Sequence, residues 1–299
     1  MNTSTSTLLP GILAVFVSAV LWGTTGTAAT FSSGVSPIEI GALSMGGGGL
    51  LQALLAIRSI RQSLIPLRQQ WGYLGLGAIA VAVYPLAFYA SMHLAGVTIG
   101  TVVSIGSAPL LSALIEYCLD GLTLTRRWLI GAVLGIIGIA LLCTTEGNDH
   151  QMAGSATSVI PGVLLGGLSG LTYALYSWSV RRLMLRKVLP RAAMGATFGL
   201  GGCVLAVVWC FSGMNILSTG QNVCVGLYMM LIPMFIGYLC YGYGLARIPA
   251  SSATTITLLE PVVAALLAVV VVGERLPLLG WTGVMLIIAC LVCIVWPRR

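Results

Sequence analysis

Three groups of residues in this 299-residue chain could do chemistry in an apolar setting. The first is a lone carboxylate. Glu260 stands directly before Pro261 in the stretch TTITLLEPVVAALL, which begins at Thr254 and is otherwise apolar or hydroxylated. A carboxylate there can relay a proton, bind an ammonium group, or hold its own helix through hydrogen bonds. The second group is hydroxyls. Thr101, Ser104 and Ser107 recur at every third residue and share one helix face, as do Thr254 and Thr257. They could accept from an ammonium, donate to a carboxylate, or bond helix to helix. The third group is aromatic: Trp22, Tyr84, Phe88, Tyr89, Tyr173, Tyr176, Tyr238 and Tyr241. Such faces stack on another ring or hold a cation. Tyr and Trp also form interfacial belts, but Trp22 and Tyr84 lie deeper within their segments.

The elements that must carry these residues are set by composition. The chain is 58% hydrophobic, only 7% charged, and its mean hydropathy is +1.03. A soluble domain carries roughly 25% charged residues, so this chain is expected in lipid. Ten apolar spans are legible: Pro10–Phe31, Pro37–Ile57, Trp71–Met92, Thr98–Leu119, Trp128–Thr145, Ile160–Val180, Pro190–Phe211, Cys224–Ala246, Ala250–Gly273 and Leu278–Trp296. Each approaches the roughly 20 residues that cross a bilayer as a helix. Nothing alternates as a membrane β-barrel requires. The expected fold class is therefore an all-α integral membrane protein of ten transmembrane helices. Residues 1–9 hold no Lys or Arg and the first span is long enough to stay, so no cleaved signal is expected. With ten spans, all of the 14 basic residues but Arg275 fall on one side. That excess marks the cytoplasmic face, with both termini on it.

Internal similarity divides the chain into 1–147 and 148–299. Moving the second half back by 152 residues sets Tyr241 on Tyr89, Pro261 on Pro109 and Gly283 on Gly131. A shift of 151 sets Ser169 on Ser18 and Tyr173 on Trp22. Five spans is an odd number, so the halves would enter the membrane from opposite sides as inverted repeats, with a site near the midplane beside interrupted helices. Pro109 and Pro261 are the expected hinges, with Pro85 and Pro233 as a second pair. Glycines at close-packing intervals, Gly131, Gly135 and Gly138 or Gly162, Gly166 and Gly170, are expected at tight helix contacts. So are Gly46–Gly49, which could also let their helix bend.

Several of these residues together resemble a known family. Trp22-Gly23, Ser107-Ala108-Pro109 with Ala113, the segment Leu259-Glu260-Pro261-Val262-Val263-Ala264-Ala265 and the following Val272-Gly273-Glu274-Arg275-Leu276 are similar to the drug/metabolite transporter superfamily, in its ten-span EamA-type branch. Within it the chain most resembles the YddG-type exporters of aromatic amino acids. The resemblance implies a bacterial inner-membrane exporter with a central cavity that works by alternating access. One departure is that Ala108 stands where the second half has Glu260, so a carboxylate cannot serve both halves.

The residues expected at the cavity are Trp22, Tyr84, Tyr89, Thr101, Ser104, Ser107, Tyr173, Tyr176, Tyr238, Thr257 and Glu260. Glu260 lies about ten residues, or roughly 15 Å, into its span. A charge at that depth costs at least about 3 kcal/mol, so it should face protein or water. Phosphorylated cargo wants Lys or Arg, and the basic residues all lie outside the spans or, for Arg191, at the very start of one. An enzyme needs a nucleophile–base pair or a metal cluster, and the two His lack flanking ligands. No Walker-type loop is present. Cys290-Leu-Val-Cys293 has metal or redox spacing but no His or acidic neighbour, and reads as packing. No cofactor, metal, nucleic acid or obligate protein partner is expected; the partners are a small molecule and the bilayer.

Overall fold

In lipid the backbone N–H and C=O groups must find partners within the protein, and helices provide most of them here. The computed structural model describes residues 5–123, 125–146, 156–272 and 277–295, and among these there is no strand. The Gly273–Leu276 motif, Arg275, Arg298 and Arg299 lie outside the described residues. The long helices are α1 (Thr5–Thr30), α2 (Pro37–Leu55), α3 (Trp71–Ala95), α4 (Val97–Asp120), α5 (Arg126–Glu146), α6 (Ala156–Leu185), α7 (Pro190–Phe211), α8 (Gly220–Leu245), α9 (Ala250–Val271) and α10 (Leu278–Val295). Among the described residues eight helices are long and apolar enough to cross a membrane; α5 and α10 are further apolar helices outside that count. Two short helices, Ile57–Gln62 and Leu64–Gln69, link α2 to α3.

Helix ends follow local chemistry. Ser36 caps α2, its Oγ accepting the Glu39 N–H at 3.1 Å, with Pro37 opening the helix. Thr219 does the same for α8 through Asn222 N–H. Gly96, at φ 88°, makes the elbow between α3 and α4 that a side chain would strain. Outward faces are apolar: Ile79, Val270 and Phe211 are 66%, 79% and 86% exposed. In water such a surface would drive aggregation; here it meets acyl chains.

Glycine lets the helices close on one another. α2 lies along α7, where a Cβ on Gly49 would strike the Phe198 carbonyl and one on Gly202 would sit 2.7 Å from the Gly46 carbonyl. The run Gly46–Gly49 therefore packs instead of bending, and α2 is continuous. α5 lies along α10, with the Gly138 Cβ position 2.8 Å from the Gly283 carbonyl. α6 rests on α3 through Gly162 and on α4 through Gly170, whose Cβ position meets Ser107 Oγ. Substituting Gly49→Val is expected to cost about 1–3 kcal/mol by overpacking, read as a lower thermal midpoint of the purified protein. Gly75→Ala, with nothing within 4 Å of the added Cβ, is expected to leave it unchanged.

Among the described residues, prolines interrupt two of the long helices. α3 runs straight through Pro85 and α4 through Pro109. α8 widens to a π-helix over Met230–Gly237, around Pro233. α9 breaks at Thr257–Leu258, between Ala250–Ile256 and Leu259–Leu267. The cause at α9 is Pro261, which has no N–H to give the Thr257 carbonyl. Glu260 N–H takes that carbonyl instead at 3.0 Å, tightening the turn.

Candidate functional site

Carbonyls along the widened turn of α8 accept hydrogen bonds from side chains of other helices. Trp22 Nε1 donates to the Pro233 carbonyl at 2.9 Å, Ser18 Oγ to Gly237 at 2.9 Å, and Gln52 Nε2 to Met234 at 3.5 Å. This fixes the Trp22 indole at the centre of the bundle, where it is 4% exposed. Its ring centroid lies 4.7 Å from Tyr238, 5.2 Å from Tyr241 and 6.4 Å from Tyr173, tilted or edge-on. Those are the favoured geometries of aromatic pairs. The cluster continues through Tyr173–Tyr176 at 5.2 Å, Tyr84–Tyr173 at 5.4 Å and Phe198–Tyr238 at 4.5 Å.

Above this aromatic floor is a cavity of about 60 Å³. Trp22 and Thr25 of α1, Gly41, Ser44 and Met45 of α2, and Tyr84, Pro85, Phe88 and Tyr89 of α3 line one part. Tyr173 and Tyr176 of α6, Met234 and Tyr238 of α8 and Glu260 of α9 line the rest. Ligand pockets usually enclose about 300–1,000 Å³, so the rings must part before a molecule the size of an amino acid can enter. Gly41 leaves room for the Tyr89 ring, whose edge occupies the place of a Cβ.

Most polar groups around the cavity already have partners. Thr257 Oγ1 donates to the Thr254 carbonyl at 2.9 Å, so Tyr173 donates its hydroxyl to Thr257 at 2.8 Å. Tyr176 and Tyr238 bond each other at 3.1 Å. Thr25 and Ser44 hydroxyls turn back to their own helices, to the Trp22 and Gly41 carbonyls. Among the described residues, the Glu260 carboxylate and the hydroxyls of Tyr84 and Tyr89 have no hydrogen-bond partner, and none of the three is sealed from the cavity. No Lys, Arg or His is among the lining residues.

Seven of the residues expected at the cavity meet there: Trp22, Tyr84, Tyr89, Tyr173, Tyr176, Tyr238 and Glu260. The hydroxyl residues of α4 and α9 do not line it. Thr101 bonds Met92 Sδ at 3.6 Å, Ser104 is buried, and Ser107 bonds the Ser104 carbonyl while packing on Gly170. Thr257 stands behind Tyr173 and reaches the cavity only through it. The α2 contribution of Gly41, Ser44 and Met45 carried no signal in the sequence, since small residues in a membrane span read equally well as helix packing.

A polar latch closes one end of the bundle. Glu116 of α4, 2% exposed, accepts from the N–H groups of Ala250 and Ser251 at 2.7 and 3.1 Å and from Ser251 Oγ, capping α9. Arg181 of α6 lies 4.0 Å from Glu116 and donates to the Leu245 and Ile248 carbonyls of the α8–α9 connection. Arg182 pairs with Asp120 at 2.9 Å, and Asp120 also accepts from Trp178 Nε1 at 3.0 Å. At the other end Glu39 accepts the Ile216 N–H at 2.8 Å, and Asn222 bonds both backbone groups of Ser33.

Long apolar helices wrapped around a central cavity whose lining is half aromatic, with polar clusters toward both ends, fit a multi-pass membrane transporter of small molecules. The family of this chain is equally definite: the family model described as "EamA-like transporter family" matches residues 9–144 and again 160–296, and the chain belongs to that family. Its members are transporters, not enzymes. The chain is 28% identical over 291 residues to the "Uncharacterized transporter YwfM" of Bacillus subtilis (strain 168), covering 96% of this chain and 94% of that one. It is 25% identical over 303 residues to a "Probable terminal-alkyne amino-acid exporter" of Streptantibioticus cattleyicolor, covering 91% and 94%. A "Biotin transporter" of Escherichia coli (strain K12) is 26% identical over 208 residues, 68% of this chain and 66% of that one. A solved crystal structure superposes with a TM-score of 0.79 at 21% identity, over 98% of this chain and 97% of the other, which shows a shared fold.

Proposed function

We propose that the protein exports amino acids, aromatic or large hydrophobic ones above all, and related small organic compounds across a bacterial inner membrane. The observation that carries this reading is the free Glu260 carboxylate facing an aromatic-walled cavity with no basic side chain. A carboxylate with rings around it suits an ammonium group attached to a hydrophobic body. The same lining offers nothing to a phosphate, which argues against phosphorylated cargo. The amino-acid exporter among the relatives supports the reading at the level of substrate class.

The mechanism we propose is alternating access by two inverted five-helix halves, 1–147 and 148–299, with both termini cytoplasmic. The family model matches each half separately, which supports the division. The packing supports it too, because the most extensive interfaces have counterparts. α3 lies on α6 as α8 lies on α1, and α4 lies on α6 as α9 lies on α1; α2–α7 and α5–α10 are their own counterparts. In this reading Pro261 is one hinge and Pro109 its partner, and the Glu116–Arg181 latch closes the cytoplasmic side.

The test is uptake of labelled amino acids into proteoliposomes, with and without a pH gradient. Aromatic amino acids are expected to outcompete small aliphatic ones. If glycine and alanine compete as well as phenylalanine, the aromatic preference is wrong.

A further inference from the structure

Glu260 is not the cavity's only unsatisfied group. The hydroxyls of Tyr84 and Tyr89, both on α3, also lack partners among the described residues, while the lining hydroxyls of Thr25, Ser44, Tyr173, Tyr176 and Tyr238 are engaged and the Trp22 indole N–H is held by Pro233. The unmet chemistry is therefore one carboxyl group and the two fully unpartnered phenols of Tyr84 and Tyr89, beside the one O–H left over in the Tyr176–Tyr238 pair. A phenol that donates to water loses that bond when a ring-bearing ligand displaces the water, unless the ligand brings an acceptor. An ammonium can satisfy Glu260, but it offers Tyr84 and Tyr89 nothing to receive their protons.

We infer that Tyr84 and Tyr89 are the specificity residues for the acidic end of the cargo: their hydroxyls donate to a carboxylate while Glu260 takes the ammonium. The site thus selects zwitterions of the α-amino-acid type over amines that lack a carboxylate and over acids that lack an amine. It does so without a cationic side chain, so the cargo's two charges are met by one protein charge. This rests on the amino-acid reading above and adds to it which residues tell an amino acid from its decarboxylated amine.

The experiment measures proteoliposome transport of phenylalanine, phenethylamine and 3-phenylpropionate by the wild type and by the double variant Tyr84→Phe/Tyr89→Phe. The substitutions keep both rings and remove only the hydroxyls. The wild type is expected to prefer phenylalanine over phenethylamine by about 10- to 100-fold, the range that hydrogen bonds to a charged group carry, and to leave 3-phenylpropionate untransported. In the double variant phenylalanine should fall to the phenethylamine level, so that the preference is lost, and an unchanged thermal midpoint of the purified variant certifies the fold. Phenylalanine transport that keeps its advantage in the variant overturns the inference. So does an equal loss of both cargos. A wild type that moves neither phenylalanine nor phenethylamine overturns the amino-acid reading itself, a failure visible before any variant is made.

Discussion

Glu260→Gln is expected to lower transport of amine-bearing cargo by about 10- to 100-fold while leaving the thermal stability of the purified protein unchanged. The two halves of this expectation have one cause. The carboxylate makes no hydrogen bond or ion pair among the described residues, so the fold does not depend on it. In the proposed function the carboxylate meets the ammonium of the cargo, and a charge-assisted contact of that kind contributes about 1.5–3 kcal/mol. The amide keeps the volume and removes the charge. Lowering the pH acts in the same direction on the wild type, because a proton on Glu260 competes with the ammonium; the glutamine variant should lose that pH dependence. Uptake into proteoliposomes at two pH values, beside thermal unfolding of both proteins, checks every part. Wild-type transport by Glu260→Gln would mean that the carboxylate neither binds the amine nor relays a proton.

The opposite profile is expected of Glu116→Ala. Its carboxylate accepts from Ala250 N–H, Ser251 N–H and Ser251 Oγ, and it faces Arg181. Removing it leaves buried donors and a cation without an anion, and breaking such a buried pair costs about 3–5 kcal/mol. A large drop in thermal midpoint should follow. Arg181→Ala should also destabilise, since the Leu245 and Ile248 carbonyls lose their donor. The two substitutions share partners and should not add. The latch reading makes a further demand: a single cysteine at Ser251 should label faster with a membrane-impermeant thiol reagent in the Glu116→Ala background. Equal stability of Glu116→Ala and the parent would show that the latch holds nothing.

Glu260 was visible in the sequence because a carboxylate in an apolar span is costly and stands out against its neighbours. Glu116 was equally present but fell near the end of its span, where an acidic residue raises no question. Only the fold shows that it reaches the first N–H groups of α9, 134 residues further along. The hydroxyls of Thr101, Ser104 and Ser107 illustrate the reverse. Their spacing placed them on one helix face, but periodicity alone does not say what that face meets. It meets Met92 and Gly170, and the cavity lies elsewhere. Pro109 and Pro261 read alike as helix breakers. Yet α4 stays continuous and α9 does not, because accommodation of a missing N–H depends on which groups stand nearby.

What the sequence determined by itself is the solvent and the kind of element. Long runs of apolar residues leave the backbone no choice in lipid but to bond to itself, so helices across a membrane follow from composition and length. Which aromatic rings gather into a floor, and which three polar groups remain unpaired above it, was decided only by tertiary structure. Hydrophobicity acts along one chain segment, whereas the partner of a hydroxyl is set by whatever distant helix is packed against it. Tyr173 and Tyr89 look interchangeable in the sequence; one is engaged by Thr257, and the hydroxyl of the other has no hydrogen-bond partner among the described residues.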